Sequence, residues 1–181
     1  MNNYFLSQIF VIIASVFIGF SYQAKSKKNV MLLCVIYCVS YGIHYLLLGA
    51  YTGMYMTLIS ASRNIMFYYN AKKGKRNKLG FLLFFVGIAI VAGVYSYDDF
   101  FSVLSMFANI LSTYSIWQDD VYKYRKLAIP VSICFILYAF RINSIFSIVV
   151  ECILLIVEVT SIIGIKYEKK EGIDCYNEVQ Y

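Results

Sequence analysis

Residues 145–165 read IFSIVVECILLIVEVTSIIGI, an apolar run that holds two carboxylates. A helix of about 20 residues crosses a hydrocarbon layer about 30 Å thick, so this run is long enough for one crossing. The whole chain has the same character, because 61% of its 181 residues are hydrophobic and 14% are charged. A soluble domain of this length could not bury so much apolar surface. The sequence predicts an all-α integral membrane protein whose residues 1–181 form a single membrane domain.

Six more apolar runs predict further transmembrane spans. No basic residue precedes the first run, which is also longer than the apolar part of a signal peptide, so we expect an uncleaved span. The sixth run is the shortest and contains the only proline, Pro130, near its predicted start, where a missing N–H costs least. The seven predicted spans cover residues 4–22, 30–49, 51–69, 79–95, 100–117, 127–140 and 145–165.

Lysine and arginine cluster in alternate connections between the spans, at residues 25–28, 72–78 and 123–126 and again from Lys166. The intervening connections have almost none. Because cytoplasmic loops carry an excess of Lys and Arg, the N-terminus is predicted outside and the C-terminus in the cytoplasm. The net charge of +6 is thereby assigned to loops beside anionic headgroups, and nucleic-acid binding is not expected.

Spans 1–3 and 5–7 share features that indicate an internal repeat. Since three spans is an odd number, two parallel copies need a linker span between them. We therefore predict seven helices as two parallel triple-helix bundles plus a linker (3+1+3): residues 1–73, 79–97 and 98–170, followed by a cytoplasmic tail, residues 171–181. The residues matched between the copies are Tyr22–Gln23 with Trp117–Gln118, Tyr41 with Tyr138, His44 with Arg141, and Arg63 with Glu158.

Several short motifs are spread along almost the whole chain: Ser21-Tyr22-Gln23, His44 with Leu47-Leu48-Gly49, Arg63, Glu151 and Gly172-Ile173-Asp174. Together they resemble the YgjV-like family of bacterial inner-membrane proteins. The resemblance implies a multi-pass protein of the bacterial cytoplasmic (inner) membrane. By architecture that family lies near the SWEET and SemiSWEET sugar transporters and the PnuC vitamin transporters, which also implies the 3+1+3 fold. The proline expected in the first span of each sugar-transporter bundle is missing here, which argues against a sugar-type rocking mechanism.

Ionisable residues inside a bilayer cost about 2.5–3.5 kcal/mol on insertion scales and mark functional candidates. Arg63 and Glu158 lie at similar depths of spans 3 and 7, because each residue of a helix rises 1.5 Å. We expect them to pair directly or to border a shared water-filled cavity; a purely structural ion pair is the alternative. Glu151 lies two turns from Glu158 on nearly the same face, which suits a proton or cation pathway or, alternatively, bonds to neighbouring Tyr and Ser groups.

Other polar residues of the spans complete the candidate site. Tyr41 belongs to a stripe with Tyr37 and Tyr45 that either lines a cavity or packs a core. Asn64 and Asn109 suit a midplane ligand or ordinary helix–helix contacts. For His44, at the outer end of span 2, a capping or interfacial role is favoured over sensing of external pH. The predicted ligand-binding residues are Tyr41, Arg63, Asn64, Asn109, Glu151 and Glu158.

No enzymatic motif is present. The single histidine provides no His-based zinc site, H-E-x-x-H, G-x-S-x-G and Walker motifs are missing, and we predict no catalytic residue, metal or cofactor. The leading hypothesis is a small-solute transporter or facilitator with a polar site between the bundles. The alternative is a non-transporting structural, assembly or sensor protein. The predicted partners are the lipid bilayer and a small-molecule solute, and homo-oligomerisation stays open.

Overall fold

A computed structural model describes residues 2–23, 27–74, 78–118 and 121–171, and this part of the chain is all helical. The seven predicted helices are confirmed there, whereas the tail motif at residues 172–174 and the basic residues 25, 75 and 76 lie outside the described residues. The helices are α1 (Asn2–Gln23), α2 (Lys27–Leu47), α3 (Tyr51–Lys72), α4 (Leu79–Tyr95), α5 (Phe100–Trp117), α6 (Val121–Arg141) and α7 (Ile145–Glu171).

Four of these helices are long and apolar enough to cross a membrane. They contain the segments Asn3–Ser21, Asn29–Leu47, Phe100–Trp117 and Ile145–Gly164. The helix α4 is apolar but shorter, and α3 and α6 are more polar along their length. That α3, α4 and α6 also span the membrane remains a prediction.

The prediction for the sixth helix was wrong at its start. The helix α6 begins at Val121, so Pro130 lies well inside it, where a proline removes one backbone hydrogen bond. Similarly, α7 continues past the predicted end to Glu171. The reason is that hydropathy marks the hydrocarbon-embedded part of a helix, whereas Lys, Arg and Glu are good helix formers and prolong helices beyond it.

The helices pack as a ring of six. Following the ring, α1 contacts α2, α2 contacts α3, α3 contacts α5, α5 contacts α6, α6 contacts α7, and α7 returns to α1. The helix α4 lies against α3 and α5; it packs Phe85 on Phe67 with ring centroids 6.4 Å apart and places Gly93 against Met106. The ring thus encloses a centre, with α4 attached to its outside.

A candidate ligand site in the central cavity

A cavity of about 130 Å³ lies inside the ring, and each of its six helices contributes to the wall. We call it the central cavity. It has room for about four waters at roughly 30 Å³ each, and its wall is polar and aromatic rather than simply apolar. The side chains that carry its chemistry are Cys34, Tyr37, Cys38, Tyr41, Tyr45, Thr57, Ser60, Arg63, Asn64, Ser112, Ser115, Ser132, Glu151 and Glu158.

The tyrosine stripe of α2 forms one wall of the central cavity. Tyr37 and Tyr41 have ring centroids 4.9 Å apart, and those of Tyr41 and Tyr45 are 5.6 Å apart. The four-residue spacing places all three on one helical face. The Tyr41 hydroxyl is buried and has no hydrogen-bond partner among the described residues. The stripe lines the cavity and also belongs to the core, so both predicted roles apply.

Two carboxylates of α7 form the acidic part of the wall. Glu151 is 4% exposed and Glu158 is 6% exposed. The Tyr37 hydroxyl donates to Glu151 Oε1 over 3.4 Å, a long hydrogen bond. The Ser132 hydroxyl donates to Glu158 Oε2 over 3.1 Å. The seven-residue spacing puts both carboxylates on one side of α7 at two depths of the same cavity.

Arg63 of α3 lies in the same wall and is 2% exposed. Its Nη1 donates to Thr113 Oγ1 over 2.7 Å, and its Nε and Nη2 donate to Asn64 Oδ1, each over 3.3 Å. No hydrogen bond or ion pair joins Arg63 to Glu158 in the part of the chain that the structure describes. The two residues instead border one cavity. A shared cavity was the second of the two arrangements predicted for them.

Asn109 was predicted to contact the ligand, but the structure does not bring it to the central cavity. Its Nδ2 donates to the Met56 carbonyl over 2.6 Å and to Ser60 Oγ over 2.8 Å. Both acceptors belong to α3, so Asn109 joins α5 to α3. Asn64, by contrast, lines the cavity.

His44 is fully buried, so the predicted interfacial role is wrong. Its Nδ1 lies 3.1 Å from the Ser7 carbonyl oxygen, which can only accept, so Nδ1 carries the hydrogen. Its Nε2 lies 3.2 Å from Ser144 Oγ and 3.1 Å from Ser147 Oγ, and it accepts from these hydroxyls when the imidazole is neutral. The imidazole thus bridges α1, α2 and α7. The sequence of α2 alone did not show that α1 and α7 would cover it.

A second, larger pocket of about 670 Å³ lies at the α2–α3, α4–α5 and α6–α7 turns; its wall includes Thr52, Asp98, Asp99, Tyr138, Arg141 and Asn143. We call it the turn pocket. Tyr138 lines the turn pocket, Tyr45 lines the central cavity, and their ring centroids are 5.6 Å apart. These two rings therefore lie between the turn pocket and the central cavity.

At the rim of the turn pocket, Asp99 begins α5. Its Oδ1 accepts a hydrogen bond from the Ser102 backbone over 3.1 Å, and its Oδ2 accepts from Arg141 Nε. Burial raises the pKa of Asp99, but the hydrogen bonds from Ser102 and Arg141 outweigh it, so the pKa of this carboxyl lies below its usual value.

Sequence reasoning missed several hydroxyl groups of the site. Ser132 holds Glu158 and Thr113 holds Arg63, yet neither was a candidate. A hydroxyl within an apolar run is a weak signal, because Ser and Thr also bond to their own helix, as Thr113 does to the Asn109 carbonyl. A better signal was the polar face of α5, whose buried polar residues are Ser102, Ser105, Asn109, Thr113 and Ser115.

Comparison with known proteins gives one match. Residues 5–169 fit the family model Imp-YgjV, described as a bacterial inner membrane protein. No curated protein and no solved structure matches this sequence. Four helices able to cross a membrane agree with that location. The chain therefore belongs to the Imp-YgjV family of bacterial inner membrane proteins.

Proposed function

We propose that this protein is a non-enzymatic transporter or facilitator of a small solute, which binds in the central cavity. The observation that carries the proposal is the wall of that cavity, where an arginine and two glutamates, all buried, face one space from α3 and α7. Burying a charge costs several kcal/mol unless good partners compensate for it. A polar site inside a membrane protein is by default a functional one.

The alternative, a protein in which the same groups only hold helices together, is less well supported by this geometry. A structural ion pair would bring Arg63 and Glu158 into contact. In the described part of the chain, Arg63 bonds to Thr113 and Asn64, and Glu158 accepts from Ser132. Asn109, by contrast, joins α5 to α3 through its Nδ2 and does not line the cavity.

The proposal includes two parallel bundles, α1–α3 and α5–α7, joined by α4. The turns inside the two halves support it. Gly49 and Asn143 both have positive φ, +70° and 53°, and the backbone bond from Ala50 to the Tyr45 carbonyl is repeated from Ser144 to Ala139. Each residue of the first turn is separated from its counterpart in the second turn by the same number of positions in the sequence. The same shift relates cavity-lining residues: Ile18 to Ser112, Cys34 to Ala128, Cys38 to Ser132, Thr57 to Glu151 and Asn64 to Glu158.

This register differs from the sequence-based matching of the two halves. It pairs His44 with Tyr138, and Asn64 rather than Arg63 with Glu158. The contacts agree with the new register: His44 reaches Ser147 near the start of α7 over 3.1 Å, and the Tyr138 hydroxyl accepts from the Gly53 backbone near the start of α3 over 3.0 Å. Gly53 and Ser147 are related by the same shift.

Alternating access is part of the proposal. With the N-terminus outside, the turn pocket faces the exterior. Solute then passes between the turn pocket and the central cavity when the rings of Tyr45 and Tyr138 separate. In the structure those rings are in contact, so this side of the cavity is closed.

The test is a solute panel screened by thermal shift on purified protein, followed by flux measurements in proteoliposomes. A solute that binds the native state at 100 times its Kd stabilises it by about 2.7 kcal/mol. We expect a stabilising solute to enter liposomes with saturable kinetics, about tenfold more slowly with Glu158→Gln, because a hydrogen bond to a charged group contributes about 1.5–3 kcal/mol.

The matched control for this test is Thr160→Val. Thr160 is exposed on α7, and its hydroxyl bonds to carbonyls of its own helix, so flux should be unchanged. A protein that binds solutes without moving any of them would favour the non-transporting alternative. A saturable flux equal in Glu158→Gln and wild type would instead remove Glu158 from the binding site.

A further inference from the structure

We propose that the central cavity binds a small primary ammonium ion, with its charged group against Glu151 and the Tyr41 hydroxyl. This inference rests on the proposed function, because it names the ligand class of the same site. Three independent features of the cavity carry it: the charge of the wall, an unpartnered hydroxyl beside an aromatic face, and the size of the space.

The charge of the wall favours a cation. Arg63 is held on the α5 side by Thr113, and Glu158 has a hydroxyl donor in Ser132 and the electrostatic influence of Arg125 on α6. Glu151 accepts one well-defined hydrogen bond among the described residues, the long one from Tyr37, and the Tyr41 hydroxyl is its other close polar neighbour. A carboxylate so buried requires a compensating charge or proton, and Glu151 is therefore the group against which an ammonium ion would bind.

The second feature is the Tyr41 hydroxyl. Tyr41 is 2% exposed and lines the cavity, and its oxygen lies near Glu151 and Ser147 without forming a hydrogen bond of good geometry to any described residue. A primary ammonium carries three N–H donors, so it can bond to Glu151 and to Tyr41 at the same time. The rings of Tyr37 and Tyr41 lie side by side in the same wall, and aromatic faces attract cations. Hydroxyl, carboxylate and rings thus converge on one type of ligand.

The third feature is size. A volume of about 130 Å³ corresponds to about four waters, which suits a ligand with a few heavy atoms. Methylammonium and ethanolamine are of that size, and ethanolamine has a neutral counterpart of nearly the same shape in ethylene glycol. This pair separates the effect of charge from the effect of shape.

The experiment measures the apparent melting temperature of the purified full-length protein against increasing methylammonium, ethanolamine or ethylene glycol. The chloride concentration is kept constant by balancing with sodium. We expect saturable stabilisation by both amines and none by ethylene glycol. Equal stabilisation by ethylene glycol and ethanolamine, or no stabilisation by either amine, overturns the proposal. The second result includes the case in which a proton, rather than an amine, neutralises Glu151.

Two variants and a control locate the binding site. Glu151→Gln removes the charge, and we expect amine affinity to fall about tenfold or more, because hydrogen bonds to charged groups are the strong ones. Tyr41→Phe removes a hydroxyl that forms no hydrogen bond of good geometry to a described residue, so it should fold normally and bind amines several-fold more weakly. Thr160→Val, at an exposed hydroxyl of α7 that bonds to carbonyls of its own helix, should bind as wild type does. Wild-type affinity in Tyr41→Phe and in any folded Glu151→Gln overturns the proposal.

Measurements of amine binding and of liposome flux test the proposed ligand class separately from the proposed transport function. If amines bind as described but nothing crosses liposomes, the ligand class stands and the transport proposal fails. If the liposomes take up a neutral or anionic solute and amines do not compete with it, transport stands and the ligand class proposed here fails.

Discussion

The two halves of the ring, α1–α3 and α5–α7, differ in chemistry at positions that the proposed repeat matches. Thr57 in α3 is matched with Glu151 in α7, and Asn64 with Glu158; all four side chains are buried. The first half thus places no carboxylate at these positions. That difference supports the proposal that the carboxylates of α7 bind ligand rather than only join helices.

The two halves also differ in the contact that the middle helix of each makes with the opposite half. The middle helix of the first half uses His44 to contact Ser147, whereas the middle helix of the second half uses Tyr138 to contact the backbone of Gly53. A larger side chain thus meets a residue with no side chain. In each contact the side chains match in size and in hydrogen bonding, and a substitution can disturb either property separately.

The largest effect is expected for Gly53→Ala. A Cβ built on Gly53 would lie 2.8 Å from Tyr138 Cε1 and 2.9 Å from Tyr45 Cγ, so both rings would have to move and the Tyr138 hydrogen bond would be strained. We expect a loss of about 3 kcal/mol, at the upper end of the usual range for overpacking, measured as a drop in melting temperature in detergent.

The control for this substitution is Gly87→Ala. A Cβ at Gly87 of α4 has no atom within 4 Å, and alanine favours a helix by about 0.5–1 kcal/mol over glycine, so stability should stay constant or rise. If both variants melt alike, the close contact of Gly53 with the two rings does not contribute to stability.

A smaller effect is expected for Tyr138→Phe. The Gly53 N–H lies in the first turn of α3, where the helix supplies no acceptor of its own, and Tyr138 provides one over 3.0 Å. Removing that oxygen leaves a buried donor without an acceptor and should cost about 1–2 kcal/mol.

Tyr41→Phe is the matched change in the first half. Its hydroxyl has no partner among the described residues, and the corresponding position in α6, Phe135, already carries phenylalanine. We expect a melting temperature equal to or slightly above that of wild type. A loss as large as that of Tyr138→Phe would mean that the Tyr41 hydroxyl is bonded, which would also weaken the proposed ammonium site.

The sequence predicted the helices well and the site in part. Apolar runs marked α4 and α5 at the ends that the structure shows, because Asp and Ser interrupt the chain there. Arg63, Glu151 and Glu158 were recognised because a charge in an apolar run is costly. Their partners Ser132 and Thr113 were not, because a hydroxyl in a helix can satisfy itself on its own backbone.

The proposed register of the two halves differs from the sequence-based matching for a physical reason. The sequence-based matching paired residues of similar chemistry, Tyr41 with Tyr138 and an ion with an ion, whereas the proposed register follows the left-handed turns at Gly49 and Asn143. Side-chain chemistry is free to change between two copies of a fold. Turn geometry is not, because it fixes where the next helix begins.

A small effect is expected at the surface contact of the second half, where Arg141 bonds to Asp99. Half of the Arg141 side chain is exposed, and exposed pairs contribute about 0–1 kcal/mol. Asp99→Asn keeps an oxygen to cap α5 and loses only the ion pair, so it should cost less than 1 kcal/mol. Asp99→Ala also loses the cap and should cost about 1 kcal/mol more.

The pH dependence separates the two roles of Asp99. Because the pKa of Asp99 is lowered in the folded protein, its charge stabilises the fold above the usual value of 3.8, and this stabilisation is lost as the pH falls through the lowered pKa. The difference in melting temperature between wild type and Asp99→Asn should therefore be present at pH 7 and vanish in acid. The difference between Asp99→Asn and Asp99→Ala should persist at both, because the cap formed by asparagine does not titrate. If the difference in melting temperature between wild type and Asp99→Asn is still present in acid, the ion pair with Arg141 is not its cause.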